Sequence, residues 1–184
     1  MRDVDVVTCF LLRRGEGPSA GSRHGGQAEV GARQAAPLRG DEILLLRRSG
    51  RVGTYRGRWA GVSGYVEEAS ALEQAYREME EEVGLERGGV RLLAEGEPLI
   101  VVDEAIDTRW TVHPFLFELV TGGGEPGEDA GDLTGDLKVA PTGSLRLDWE
   151  HTESRWVRPE EVSGMETVPG LAEALSRVYR GGQA

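Results

Sequence analysis

The sequence predicts a mixed domain of the α/β (α+β) class. Several short apolar segments have the length and composition of strands, one long segment has helical periodicity, and a second helical pattern lies near the end. The length of 184 residues suits one domain with a single hydrophobic core. Because no internal repeat or interdomain linker is visible, we expect a single domain over residues 1–184.

Composition and charge restrict the partners of this chain. The formal net charge of −11 argues against binding to nucleic acid or to an anionic membrane, since both require a positive field. No signal peptide is visible, and no apolar run approaches the roughly 20 residues needed to cross a bilayer. The single cysteine, Cys9, excludes an internal disulfide and fits a reducing compartment. We therefore expect a cytoplasmic protein.

Two strands are predicted before the long helical segment, at Val4 to Leu12 and Asp41 to Arg48. Cys9 in the first strand is interpreted as a small core residue. Residues 15–40 are rich in Gly, Ala, Ser and Arg without periodicity, which predicts a flexible insertion. The glycine-rich turn after the second strand carries arginines whose guanidinium groups suit phosphate oxygens, although they could instead pair with acidic residues or face solvent. These are Arg47, Arg48, Arg51, Arg56 and Arg58.

A helix is predicted between Ser70 and Gly84. Ser70 is a suitable N-cap, Glu73 three residues later completes a capping-box pattern, and Gly84 is a suitable C-terminal stop. The apolar stripe that should face the core consists of Leu72, Ala75, Met79 and Val83.

Three carboxylates share one face of this helix, because Glu78, Glu81 and Glu82 are spaced i, i+3 and i+4. Like charges at this spacing destabilise a helix by about 0.2–0.5 kcal/mol per pair. A divalent cation would relieve the repulsion, and Mg²⁺ is commonly held by a few carboxylates together with substrate phosphates. The alternative is a solvated acidic face without a ligand.

The second half of the chain continues the mixed pattern. Val90 to Ala94 and Leu99 to Val102 predict short strands, and Thr108 to Val120 predicts a long one. Residues 121–144 are acidic and rich in glycine, which predicts a second flexible insertion. Leu171 to Tyr179 has helical spacing and should close the domain.

The helix and the glycine before it resemble a known family signature. Gly64 followed by Arg77 to Leu85 (REMEEEVGL) resembles the signature of the Nudix hydrolases: Gly, five residues, Glu, seven residues, then Arg-Glu-apolar-x-Glu-Glu-x-Gly-apolar. The stretch between Gly64 and Arg77 is one residue shorter here than in that pattern. Ala69 therefore falls where the first Glu of the family belongs, and Glu68 is the candidate to replace it.

A second resemblance lies near the end of the chain. Leu145 to Val157 (LRLDWEHTESRWV) resembles the Glu-His-x-Glu-x-x-Trp stretch of many Nudix domains, in which a Glu approaches the metals from outside the helix. Glu150 is the first candidate for that role and Glu153 the second, with a plain surface role as the alternative for both.

The family resemblance implies a fold and an activity. The fold is a mixed β-sheet between helices, and the activity is hydrolysis of a diphosphate linkage in a nucleoside diphosphate derivative with Mg²⁺ or Mn²⁺. A Nudix-fold module that binds a nucleotide without hydrolysing it is the alternative. The group attached to the diphosphate is not indicated, and homodimerisation, common in the family, is left open.

The resemblance also implies roles for individual residues. Arg77 would orient a carboxylate, and Glu150 would take part in catalysis together with Glu81 and Glu82. The expected metal ligands are Glu78, Glu81, Glu82 and the Ser63 carbonyl. The expected substrate contacts are Arg48, Arg51, Arg56 and Trp59.

Overall fold

The structure, a computed structural model, describes residues 1–15, 40–120 and 149–180. The insertions predicted at about 15–40 and 121–144 fall on the segments outside these ranges. Neither described helix has the length and apolar composition required to span a bilayer. In chain order, the strands and helices of the described ranges are β1 Arg2–Arg13, β2 Glu42–Arg48, β3 Trp59–Ala60, β4 Val62–Tyr65, α1 Ala71–Val83, β5 Val90–Glu95, β6 Leu99–Asp103, β7 Thr108–Leu119, β8 His151–Val157 and α2 Leu171–Val178, with short 3₁₀ helices at Arg87–Gly89, Glu104–Ile106 and Pro159–Gly164.

The strands form one mixed sheet organised around β1. Strand β1 pairs in parallel with β7, and on its other side it pairs antiparallel with β4 in its middle and with β2 at its end. Strand β2 also pairs with β3 and β8, and β7 also pairs with β5 and β6. Because β1 is paired along both edges, its backbone hydrogen bonds are satisfied within the sheet and it can lie in the core.

Both faces of the sheet are covered. Along β1, Phe10 and Leu12 pack in the cluster that includes α2, whereas Cys9 and Leu11 pack in the cluster that includes α1. The same alternation continues in β2, as expected for a strand buried on both faces. The mixed sheet between helices is therefore confirmed. Cys9 is fully buried, which confirms it as a core residue, and this burial raises the pKa of its thiol well above the usual value.

The predicted helix and its caps are confirmed in α1. The Ser70 hydroxyl accepts a hydrogen bond from the backbone N–H of Glu73 at 3.2 Å. Gly84 adopts the left-handed conformation with φ of 73°, and its N–H donates to the Glu80 carbonyl. Three residues of the predicted apolar stripe, Ala75, Met79 and Val83, are fully or nearly fully buried.

Strand β4 is not among the strands that the sequence predicts. Val62-Ser63-Gly64 lie within it and pair with β1. A Cβ added to Gly64 would lie 1.8 Å from a carboxylate oxygen of Glu78. A larger residue at this position would displace the Glu78 carboxylate, so the close approach of Glu78 accounts for the glycine.

Candidate active site

Gln74 and Glu78 form the buried part of the site, on the face of α1 that approaches β4. Gln74 is 2 % exposed and Glu78 is 9 % exposed. The Gln74 Nε2 group donates to Glu78 Oε1 at 2.7 Å. The Gln74 Oε1 atom accepts from the backbone N–H groups of Glu67 and Glu68 at 3.0 and 3.1 Å. One side chain thus attaches the Glu78 carboxylate to the loop between β4 and α1.

The environment of Glu78 favours a positive ligand. Burial raises the pKa of the Glu78 carboxyl, and the nearby carboxylates of Glu81 and Glu150 raise it further, while the hydrogen bond from Gln74 acts in the opposite direction. Carboxylates from α1 and from the segment before β8 therefore act on Glu78. A cation bound beside Glu78 would offset this repulsion and the cost of burying the charge.

Arg77 organises the exposed side of the same helix. Its Nε donates to Glu81 at 2.8 Å, and its guanidinium also donates to Glu68 at 2.7 Å. These hydrogen bonds, the one to Glu81 first, raise the pKa of Arg77. The pairing of Arg77 with Glu68 is the contact expected if Glu68 replaces the missing family Glu. The shorter loop is therefore attached to α1 through both Gln74 and Arg77.

Glu82 lies deeper, one helical turn after Glu78. It is 3 % exposed, and its Oε2 accepts from the backbone N–H of Ser63 at 3.4 Å. His151, which is also buried, places its Nε2 at 3.8 Å from the same oxygen. The structure thus brings together Ser63 and Glu82, both predicted site residues, and adds His151, which the sequence did not single out as a site residue.

Glu150 and Arg48 reach the site from outside α1. The Ser49 N–H donates to the Glu150 carbonyl at 2.6 Å, which holds the start of β8 against the end of β2. The Arg48 Nε donates to the Thr54 carbonyl at 3.0 Å. A cavity of about 270 Å³ lies between these residues and α1. Predicted site residues that line it are Arg48, Ser63, Arg77, Glu78, Glu81 and Glu150.

Other predicted residues lie elsewhere. Arg51 and Arg56 are exposed, and the Arg56 Nε donates to a carbonyl within its own turn. Trp59 is 8 % exposed and belongs to the core, with the guanidinium of Arg155 5.0 Å from its ring. Glu153 pairs with arginines beside it. None of these three predicted substrate contacts, Arg51, Arg56 and Trp59, lines the cavity, so their contact with the substrate stays a prediction.

A ready-made metal cluster is not present in the part of the chain that the structure describes: no three His, Cys, Asp or Glu side chains there converge on one point. Arg77 binds Glu81, and Gln74 binds Glu78. The donor set nevertheless fits Mg²⁺, which binds oxygen ligands such as carboxylates and completes its shell with water and substrate phosphates.

Several residues of the cavity were not found by sequence reasoning. The spacing of Gln74 and Glu78, i and i+4, is a known side-chain hydrogen-bond pattern and could have indicated their contact. Tyr55, Tyr65 and Trp110 carried no such local signal, since they come from separate elements.

Comparisons with known proteins identify the family and the fold of this chain. A family model described as NUDIX domain matches residues 30–179. A search of the curated proteins found no match. Among solved structures, the C. elegans Ap4A hydrolase in a binary complex shares 16% identity at a TM-score of 0.56, covering 95% of this chain and 93% of that one. The Nudix hydrolase RenU of M. smegmatis shares 18% identity at a TM-score of 0.58, and the match covers 95% of this chain and 82% of that one. The MutT protein of Methanosarcina mazei Go1 shares 21% identity at a TM-score of 0.56, and the match covers 96% of this chain and 92% of that one.

At these identities the solved structures show a common fold, whereas the family model covers most of the sequence. The chain belongs to the Nudix family of hydrolases.

Proposed function

We propose that this protein hydrolyses the diphosphate linkage of a nucleoside diphosphate derivative with the help of Mg²⁺ or Mn²⁺. The observation that carries the proposal is the cavity, which is lined by the carboxylates of Glu78, Glu81 and Glu150 together with Arg48 and Arg77. Carboxylates suit the cation, and arginines suit phosphate oxygens. In a diphosphate substrate with a bound cation, the cation would pair with the carboxylates and the phosphate oxygens would pair with the arginines.

The metal would be held by Glu78, Glu81, Glu82 and the Ser63 carbonyl. The contact between the Ser63 N–H and Glu82 supports this set, because the N–H and C=O groups of one strand residue point to the same edge. When bound, the metal neutralises diphosphate charge and lowers the pKa of a coordinated water.

The other residues of the cavity would orient groups and transfer a proton. Arg77 fixes the carboxylate of Glu81 through its hydrogen bond. Glu150 enters from outside α1, and we assign its carboxylate as the acceptor of the proton from the attacking water. Arg48, whose Nε donates to the Thr54 carbonyl, would bind a phosphate oxygen of the substrate.

The test is turnover of a substrate panel with and without divalent metal. The panel covers nucleoside triphosphates, ADP-ribose, nucleotide sugars, dinucleoside polyphosphates and coenzyme A. We expect products only with Mg²⁺ or Mn²⁺, and we expect Glu81→Gln and Glu82→Gln to lower kcat by orders of magnitude while the thermal unfolding transition is retained. Glu80→Gln is the matched control, because Glu80 is exposed on the same helix and outside the cavity. If Glu81→Gln and Glu82→Gln hydrolyse the substrate as fast as Glu80→Gln, then Glu81 and Glu82 do not hold the metal.

A non-catalytic nucleotide-binding module is the second candidate. It is favoured by one observation, that Gln74 and Arg77 already bind the two cavity carboxylates of α1. Thermal stabilisation by a nucleotide with Mg²⁺, combined with no product from any member of the panel, would support the module and contradict the hydrolase.

A further inference from the structure

The end of the cavity away from the carboxylates is aromatic and apolar. Its walls come from β1, β4, β6, β7 and the segment that begins α2. Two of its side chains form an offset aromatic pair, since the ring centroids of Tyr65 and Trp110 are 6.5 Å apart and their planes are inclined by 28°. Trp110 is 7 % exposed and Tyr65 is 53 % exposed. A large aromatic ring therefore presents its surface to solvent within the cavity, supported by a second ring.

The cavity joins this ring to the proposed metal site, since Tyr65 and Glu78 both line it. Tyr65 follows Gly64, the glycine against which the Glu78 carboxylate packs, and successive strand residues point to opposite faces, so the ring and the carboxylate lie on opposite faces of β4. Val6 on β1 lies opposite Tyr65 and also lines the cavity. A ligand with phosphates near Glu78 and Arg48 can thus extend over Tyr65 without leaving the cavity.

Tyr55 holds the aromatic end in position through hydrogen bonds of its hydroxyl group with Asp103 and Trp110. Its hydroxyl donates to Asp103 at 2.8 Å and accepts from the Trp110 indole N–H at 3.1 Å. Burial raises the pKa of Tyr55 to about 12, so the hydroxyl stays protonated at neutral pH. The φ of 51° at Tyr55 is rare for a residue with a side chain, which indicates that these contacts hold the turn in place.

The indole N–H and the Tyr55 hydroxyl are consequently engaged within the protein. What the described aromatic end offers a ligand is mainly ring surface and aliphatic side chains, with few groups that could read the hydrogen-bonding edge of a base. Stacking on an aromatic ring tolerates every base, because each base has a π-face.

We propose that Tyr65, supported by Trp110, is a stacking subsite for the nucleobase that accepts any base with similar affinity. The inference rests on the proposed function for the placement of the phosphates. It adds that the protein separates ligands with a base from ligands without one, and that it selects weakly among bases.

Binding of nucleoside monophosphates tests the subsite without turnover. Isothermal titration calorimetry with Mg²⁺ would compare AMP, GMP, CMP and UMP with ribose 5-phosphate. We expect the four nucleotides to bind within about tenfold of one another, and ribose 5-phosphate to bind at least about tenfold more weakly. Tyr65→Ala should weaken nucleotide binding by about tenfold and leave ribose 5-phosphate unchanged, whereas Tyr65→Phe, which keeps the ring, should bind like the wild type.

Several results would overturn the subsite. These are no measurable nucleotide binding, equal binding of ribose 5-phosphate and AMP, equal weakening of both by Tyr65→Ala, or preference for one base by about a hundredfold or more. Different results would contradict the proposed hydrolysis and the proposed stacking subsite. Base-dependent binding with no hydrolysis of any diphosphate would remove the hydrolase and keep the subsite. Hydrolysis with the same KM in the wild type and in Tyr65→Ala would remove the subsite and keep the hydrolase.

Discussion

Glu78 shows how a single residue can favour ligand binding over stability. Its carboxylate is nearly buried, packs on Gly64 and lies near Glu81 and Glu150. Its strongest stabilising partner among the described contacts is the neutral amide of Gln74, which does not compensate the charge. Without a cation, the ionised form of Glu78 therefore lowers the free energy of unfolding.

We expect Glu78→Gln to stabilise the metal-free protein at neutral pH and to reduce hydrolysis. The pKa of Glu78 in the folded state lies above its usual value, mainly because of burial. The stabilising contribution of protonated Glu78 is present below the unfolded pKa and is lost as pH rises through the folded pKa. Glutamine keeps an acceptor for Gln74 and removes the charge, so the variant should gain stability at pH 7.5 and gain little at pH 4.

Thermal unfolding in EDTA at both pH values measures this effect. For a chain of this length, each kcal/mol corresponds to a shift of about 2–4 °C in Tm. Glu80→Gln controls for the loss of one negative charge at an exposed position. A Tm for Glu78→Gln at or below that of the wild type at pH 7.5 would contradict the argument.

The segment from β4 to α1 carries the site at the scale of elements. Its loop is one residue shorter than in the family pattern, and three described contacts hold it: the Gln74 amide to Glu67 and Glu68, and Arg77 to Glu68. Because Gln74 also binds Glu78, the same amide determines both the path of the loop and the direction of the carboxylate.

We expect Gln74→Leu to act on metal binding more than on substrate binding. Leucine has a similar size but removes the acceptor of the Glu67 and Glu68 N–H groups and the donor to Glu78, so the Glu78 carboxylate is free to rotate. The Mg²⁺ concentration that gives half the maximal rate should rise about tenfold or more, while KM for the substrate at saturating Mg²⁺ changes little.

The measurement is a Mg²⁺ titration of the hydrolysis rate, with the folded fraction of each sample verified by circular dichroism. Ser70→Ala is a useful comparison, since it weakens the N-cap of the same helix without contacting Glu78. If Ser70→Ala and Gln74→Leu shift the Mg²⁺ dependence equally, Gln74 acts only through helix stability.

The elements that the sequence predicted are those specified by local pattern. The two long strands, α1 with its caps and α2 follow from periodicity and capping residues within each segment. Strand β4 was missed because four residues that include Ser63 and Gly64 are too few to show an alternation. The aromatic pair was missed for a different reason: Tyr65 and Trp110 meet only because β4 and β7 pair with opposite edges of β1. Pairing between distant segments of this kind produces no recognisable pattern in the sequence of either segment.

The whole molecule is strongly acidic, with a formal net charge of −11. Any salt should stabilise it to some extent by screening repulsion among these charges. Specific binding of Mg²⁺ at the carboxylates of α1 would add a second contribution, which follows mass action and reaches about 2.7 kcal/mol at a hundred times the Kd. The cytoplasmic location stays a prediction that neither contribution tests.

We expect MgCl₂ to raise Tm more than NaCl at the same ionic strength, and we expect the excess to disappear in Glu81→Gln but not in Glu80→Gln. Both variants remove one charge from the same helix, so screening changes equally, whereas only Glu81 lines the cavity. Differential scanning fluorimetry across a range of both salts separates the two contributions without any substrate. Equal stabilisation by the two salts in the wild type would mean that Mg²⁺ only screens the acidic surface, and the carboxylates of α1 would then lack the ion on which hydrolysis depends.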